Sequence, residues 1–379
     1  MNLGSPSCLQ VEPVPVRDQG VASIFFSMFF SFGRDGRAET HGLASGRRDR
    51  GRQKGDLRPD DPRLRLRNLI ARAANARLGG ANREPDVYVT STLPVQGQTV
   101  AVFVSIGKPR TPVGWVQRSL RTSFAHDDLV SVNFGGRSVP SYPLDRSKTK
   151  RDYPIYRALI PTTPADSPGD RVLEVRVLDG SYRPVKIPCT IQRQVFETQH
   201  IWLGKQKSRL LRLRQTKRED AKVRAWQFLE TGEQMWDGPF SAPSDGVITT
   251  QYGQRRFYNG KFAQNYFHKG LDYGADKGSP VSSPAAGRVV LVGREADGFD
   301  LHGNCVGLDH GQGVASMFMH LDEVKVKVGA RVEKGQRLGT VGDTGIATGP
   351  HLHWGLFVHG CCVDPYMWMN SSSAHRLIF

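Results

Sequence analysis

Residues 348–360 read TGPHLHWGLFVHG, with His351 and His353 two positions apart. In a strand, side chains at i and i+2 point to the same face, whereas a helix splays such a pair apart. The run is therefore read as a strand. FHKGLDYG, residues 267–274, is read the same way, because Gly270 and Gly274 would weaken a helix there. On that reading His268 and Asp272, four positions apart in one strand, also share a face.

Outward from these runs the chain stays rich in β patterns. Asn259-Gly260 within FYNGKF suits a type I′ hairpin turn. Earlier, VYVTSTL, TVAVFVSIG, LVSVNFGG, YRALIPTT, RVLEVRVLDG and VKIPCTIQ alternate apolar and polar residues between turn signals, which predicts an antiparallel sandwich of about seven strands over residues 86–195. The 41 Gly and 23 Pro among 379 residues argue against an all-α protein. The fold class is all-β, interrupted at residues 196–240 by a charged segment, KQKSRLLRLRQTKREDAKVRAWQFLE, read as a helical linker whose Leu210, Leu213, Val223 and Phe228 face the neighbouring domains.

Residues 1–85 differ in character. GRRDRGRQKGDLRPDDPRLRLRN has too little apolar surface to offset chain entropy, so a disordered Arg-rich leader is expected, with a short helix at Leu64–Leu78. The net charge of +16 suits an anionic surface, but no aromatic interleaving or recognition motif accompanies the arginines, and no specific nucleic acid is expected. No apolar run of about 18 residues is present, which excludes a polytopic membrane protein. The stretch Val21–Phe32 has the length of an export signal core. Five cysteines without CxxC spacing argue against a disulfide framework and a thiolate metal site.

Seven of the eleven histidines lie between His268 and His359. HxxxD and HxH together offer imidazole nitrogens and a carboxylate, a donor set that suits Zn2+; three protein ligands leave a fourth coordination position open, as in a catalytic rather than structural site.

FHKGLDYG, SMFMHLDEV (residues 316–324) and TGPHLHWGLFVHG occur in that order, with GSPVSSPAAGRVVLVG and VKVGARVEKGQRLGTVGDTG between them. Together they resemble the LytM/lysostaphin-type zinc endopeptidases that cut peptidoglycan cross-bridges, over roughly Ser241–Trp368, and the β-rich region ahead resembles the immunoglobulin-like module fused to such peptidases. The resemblance implies an immunoglobulin-like β-sandwich (86–195), a helical linker (196–240) and a LytM-type antiparallel sheet domain (241–370). It implies His268, Asp272 and His353 as zinc ligands, and His320 and His351 as non-ligand catalytic histidines, either of which can be the general base. Peptidoglycan peptides would be the substrate and the cell envelope the place of action, with an anionic cell-wall or membrane surface as a further partner.

Several departures from the family pattern limit what carries over. Phe318 stands where many relatives have tyrosine, removing a hydroxyl that would orient substrate. His359-Gly360 replaces an Asn-Gly turn, and His302 and His310 are expected at the surface or in turns. Adjacent Cys361 and Cys362 are not expected to bridge. A biotinyl or lipoyl carrier hairpin is set aside, because no MKM or DKA triplet is present. The alternative is a catalytically inactive LytM-like module that binds peptidoglycan or activates another hydrolase; such modules lose ligands, whereas all five positions are filled here.

Overall fold

The computed structural model describes residues 83–107, 129–145, 153–210 and 214–378. The leader up to residue 82, including Val21–Phe32 and the helix expected at Leu64–Leu78, lies outside the described residues, as does Leu213.

Where about seven strands were expected, the described residues form eight: β1 (Asp86–Val89), β2 (Thr99–Ser105), β3 (Val130–Phe134), β4 (Arg137–Val139), β5 (Ser141–Pro143), β6 (Ile155–Pro161), β7 (Gly169–Val177) and β8 (Val185–Ile191). They pair antiparallel into two sheets, β1-β2-β6-β5 and β4-β3-β7-β8. Between the sheets lies one core, with Val100, Val102, Val104 and Ile160 meeting Val132, Phe134, Leu173 and Val175. β2 and β6 are buried on both faces. Their second face, with Ala101, Phe103, Ile155 and Leu159, joins the core of the C-terminal half, which explains why TVAVFVS carries so few polar residues.

Residues 196–240 are only partly helical. β9 (Thr198–Ile201) comes first, then α1 (Lys205–Leu210) and α2 (Arg214–Gln227). Of the residues expected to face neighbours, Val223 is buried and Phe228 is exposed; Trp226, which the sequence pattern did not single out, is buried. Trp226 fits because Gly307 leaves room: a Cβ there would meet its ring at 3.0 Å.

The C-terminal half begins with β10 (Val247–Thr250), β11 (Arg255–Tyr258), β12 (Lys261–Phe267), β13 (Leu271–Gly274), β14 (Pro280–Ser282) and β15 (Gly287–Gly293). It continues through β16 (Asn304–Gly311), β17 (Val314–Val324), β18 (Arg331–Val332), β19 (Arg337–Val341), β20 (His351–Val358) and β21 (Cys361–Val363), ending in α3 (Pro365–Met369) and α4 (Ser371–Ile378). β10-β13-β20-β17-β16-β15-β18 form the main sheet, with β14, β19 and β21 attached. β9 runs parallel to β11 in a small sheet with β12, so the segment expected to be a linker is stitched into this half by backbone hydrogen bonds. Both expected turns form: Asn259-Gly260 has φ of 49° and 76°, His359-Gly360 47° and 73°, the left-handed pair a type I′ turn needs.

At the seam between the halves Arg157 is 1% exposed. Its guanidinium sits 4.5 Å from the centre of the Trp236 ring and donates to Gln234, Gln312 and the Leu377 carbonyl. Burial pushes its pKa down to about 9. Trp368 donates to Thr99 Oγ1 across the same seam at 3.2 Å. Among the described residues no helix is long and apolar enough to cross a membrane.

Candidate metal centre and active site

β20 presents the site. Its even-numbered residues, Leu352, Trp354, Leu356 and Val358, are fully buried in the core, which leaves His351 and His353 on the opposite face. β13 pairs with β20 so that Asp272 lies directly across from His353, and β17 flanks the other side with Met319 opposite His353. Three neighbouring strands thus bring their side chains to one place.

His268 reaches it by another route than expected. It follows the end of β12, and Lys269-Gly270 turns the chain before β13 begins, so His268 and Asp272 do not share a strand. The turn passes so close to β20 that a Cβ at Gly270 would lie 2.2 Å from the Trp354 carbonyl oxygen. His268 is fully buried, and its Nδ1 donates to the Gln251 carbonyl at 2.8 Å, leaving the lone pair on Nε2.

The donors converge tightly. His268 Nε2 lies 2.9 Å from Asp272 Oδ1 and 2.9 Å from His353 Nδ1, and His353 Nδ1 lies 2.7 Å from Asp272 Oδ1. His268, Asp272 and His353 are the one metal-capable cluster of this kind among the described residues, their ligand atoms all within 4.8 Å of one another. This arrangement fits a cation. A lone pair on His268 Nε2 faces a carboxylate oxygen and a second imidazole nitrogen, and one proton on His353 Nδ1 serves only part of that set. Two nitrogens and one oxygen are a zinc donor set. Burial raises the pKa of Asp272, but His268 and His353 beside it hold the carboxyl well below the usual carboxylate range; burial pushes His353 down to about 4. Asp272 and His353 are thus in the deprotonated forms that bind metal.

His320 and His351 stand beside this cluster, their ring centres 4.8 Å apart, with His320 6.4 Å from His353. His320 Nδ1 donates to the Thr344 carbonyl at 2.9 Å and His351 Nδ1 to the Gly349 carbonyl at 2.8 Å. Each ring therefore keeps Nε2 for proton exchange. Burial, then the neighbouring His351 and His353, drive His320 well below its ordinary pKa, so it is neutral at pH 7. His320 also sits at φ 63°, in a left-handed conformation inside β17 where the register to β16 shifts. A non-glycine residue held there is strained, and such strain gathers at functional sites.

Other expectations change. His310 is a core residue rather than a surface one: it is fully buried, with Nδ1 on the Ala286 carbonyl and Nε2 on Ser316 Oγ, and burial pushes it down to about 4. His302 does lie in a turn, but half-buried against Glu219. Phe318 is wholly in the core, so a hydroxyl there would not face the site. Two residues escaped the sequence reading. Arg256 donates to Asp272 Oδ2 at 3.2 Å, to Gln199 of β9 at 2.9 Å and to Tyr258. Glu219 of α2 holds the turn at 301–302. The one sequence signal for Arg256 was its place in the short strand ahead of the Asn259-Gly260 turn.

Residues 266–365 match the model of peptidase family M23. Over 98 residues the chain is 43% identical to an uncharacterized metalloprotease of Haemophilus influenzae, covering 26% of this chain and 20% of that protein. It is 39% identical over 93 residues to the peptidoglycan DD-endopeptidase ShyA of Vibrio cholerae, covering 24% and 21%. The chain thus spans about a fifth of the length of the curated relatives it matches. Against the catalytic domain of lysostaphin from Staphylococcus simulans, a solved structure, identity is 30%, with 33% of this chain and 92% of that one covered and a TM-score of 0.29.

Proposed function

Residues 266–365 form a domain of peptidase family M23, a metallopeptidase family whose cofactor is Zn2+, and from that premise we propose that the protein is a zinc-dependent endopeptidase hydrolysing the peptide cross-links of peptidoglycan in the cell envelope. The observation that carries this reading is the convergence of His268 Nε2, Asp272 Oδ1 and His353 Nδ1 beside two further histidines.

His268, Asp272 and His353 hold the metal in this reading. When bound, zinc supplies Lewis acidity that polarises a carbonyl and acidifies water. The chain's own residues do the rest. Arg256, on the outer oxygen of Asp272, keeps Oδ1 turned towards the two ligand histidines. Thr344 and Gly349 fix the tautomers of His320 and His351, so that each Nε2 can accept a proton from the attacking water or return one to the leaving amine. The buried walls around His320 keep bulk water from competing for those nitrogens.

The two-sheet module reads as immunoglobulin-like, because its first, second, sixth and fifth strands share one sheet while the third, seventh and eighth lie in the other, the order of that fold. Domain limits of 86–195, 196–240 and 241–370 accompany this reading, with an anionic cell-wall or membrane surface as a further partner. An inactive binding module finds no support in a site with every position filled.

Digestion of isolated sacculi tests the proposal. Muropeptides cut at a peptide bond are expected from the zinc-loaded protein and none after chelation. Cleavage that survives complete removal of metal, or products cut only in the glycan, would overturn it.

A further inference from the structure

α2 lies outside the residues that match the family, yet it sends one carboxylate to the 301–302 turn that bonds to His320. Glu219 is 2% exposed. Its Oε1 accepts from the His302 backbone at 2.7 Å and from His302 Nδ1 at 2.6 Å, and its Oε2 accepts from the Leu301 backbone at 3.0 Å. Burial opposes its charge, but these bonds more than offset that and lower its pKa. Trp226 and Val223, both buried, pin the helix that carries it.

The turn so clamped bonds to His320 by two paths. Directly, the His302 carbonyl accepts from the His320 backbone at 3.1 Å. Indirectly, the Leu301 carbonyl accepts from Ile346 at 3.0 Å, and Asn304 donates to Thr344 Oγ1 at 3.0 Å. Thr344 is the residue whose carbonyl receives His320 Nδ1. His320 holds an unfavourable backbone conformation, which persists only if its surroundings over-determine it. Backbone and ring of that histidine both trace back to the turn, and the turn traces back to Glu219.

We infer that Glu219 is a positioning residue for the reaction: its buried carboxylate sets the 301–304 turn and, through it, the backbone and ring of His320. The inference rests on the reading of His320 as a catalytic histidine. Its charge matters, because a carboxylate accepts three N–H bonds where an amide of the same shape offers one oxygen and turns a donor towards a donor.

The full chain, loaded with zinc and labelled at its histidines for NMR, provides the test, with Glu219→Gln, His302→Ala and His320→Ala variants and soluble cross-linked muropeptides as substrate. Glu219→Gln is expected to lower kcat by about 10- to 100-fold with KM and zinc content unchanged, the loss typical of a misplaced catalytic group. The His320 ring signals, identified by their disappearance in His320→Ala, should move. His302→Ala removes one of the three donors without emptying the core, and should move the same signals less; it decides the matter if Glu219→Gln does not fold. Wild-type kcat and unmoved His320 signals in Glu219→Gln, or unmoved signals in His302→Ala where it stands in, would overturn the inference even if His320→Ala is inactive. Full activity in His320→Ala would instead remove His320 from the reaction, and the ring signals would still decide whether Glu219 positions it.

Discussion

His268, Asp272 and His353 each supply one donor atom to a single point, and His320 and His351 supply none of the three, so their removal should separate binding from chemistry. His353→Ala is expected to lose zinc, while His320→Ala and His351→Ala keep it and lose about 10²- to 10⁴-fold in rate. Metal content measured beside turnover checks both halves; full zinc occupancy in His353→Ala would break the ligand assignment. Arg256 acts one bond further out. With its guanidinium gone, Asp272 Oδ2 loses a charged partner at 8% side-chain exposure, and Arg256→Ala should weaken zinc binding by about 10- to 100-fold. A chelator competition measures this, and Arg256→Lys, which keeps the charge but not the fork to Gln199 and Tyr258, should recover part of it.

Strand pairing converts those side chains into a site. β13, β20 and β17 place Asp272, His353 and His320 from three segments within one sheet, and the turn at Lys269-Gly270 swings His268 over its end. The turn is held by contact of backbone on backbone. Gly270→Ala would drive a methyl against the Trp354 carbonyl, where neither atom belongs to a flexible side chain. A loss of about 1–3 kcal/mol is expected from such overpacking, with zinc affinity falling alongside as His268 is pushed from Asp272. Denaturant midpoints of the metal-free and zinc-loaded protein check it: equal losses in both would mean that the turn serves the fold alone.

Across the whole molecule, the sandwich and the C-terminal sheet share a core through β2 and β6, and Arg157 is the charged group sealed between them. Its removal leaves Gln234, Gln312 and the Leu377 carbonyl without that donor. Arg157→Ala is therefore expected to destabilise by about 1–3 kcal/mol for each acceptor that finds no water. A drop in melting temperature with unchanged zinc content would match a residue of the seam rather than of the site. The same seam bears on the segment 241–370, which holds all five site residues. Trimmed there, the protein lacks Trp236, Phe240, Trp226 and Glu219, the first two of which close the core around Trp368. Starting at residue 196 instead retains β9 and both linker helices, and that longer piece should fold and bind zinc where the shorter one aggregates.

Much of this was legible in the chain before any coordinates. Alternation located the strands, Asn259-Gly260 and His359-Gly360 marked their turns, and HxxxD with HxH picked out the residues that the fold brings together, since strand periodicity and turn chemistry are properties of a few consecutive residues. The near-continuous apolar run TVAVFVS around Phe103 reads as one more alternating strand although its strand is covered twice, and His310 looked like a surface residue until its partners came from Ala286 and Ser316. Arg256 and Glu219 were indistinguishable from solvated charges in a basic chain. Glu219 meets His302 across 83 positions, and which charges lose their water is decided by packing between segments that far apart. The sequence by itself determined the strands, the turns and the donor residues; only the tertiary structure decided which charged and aromatic side chains stand behind them, because burial and partnership are properties of the assembled core rather than of any local run.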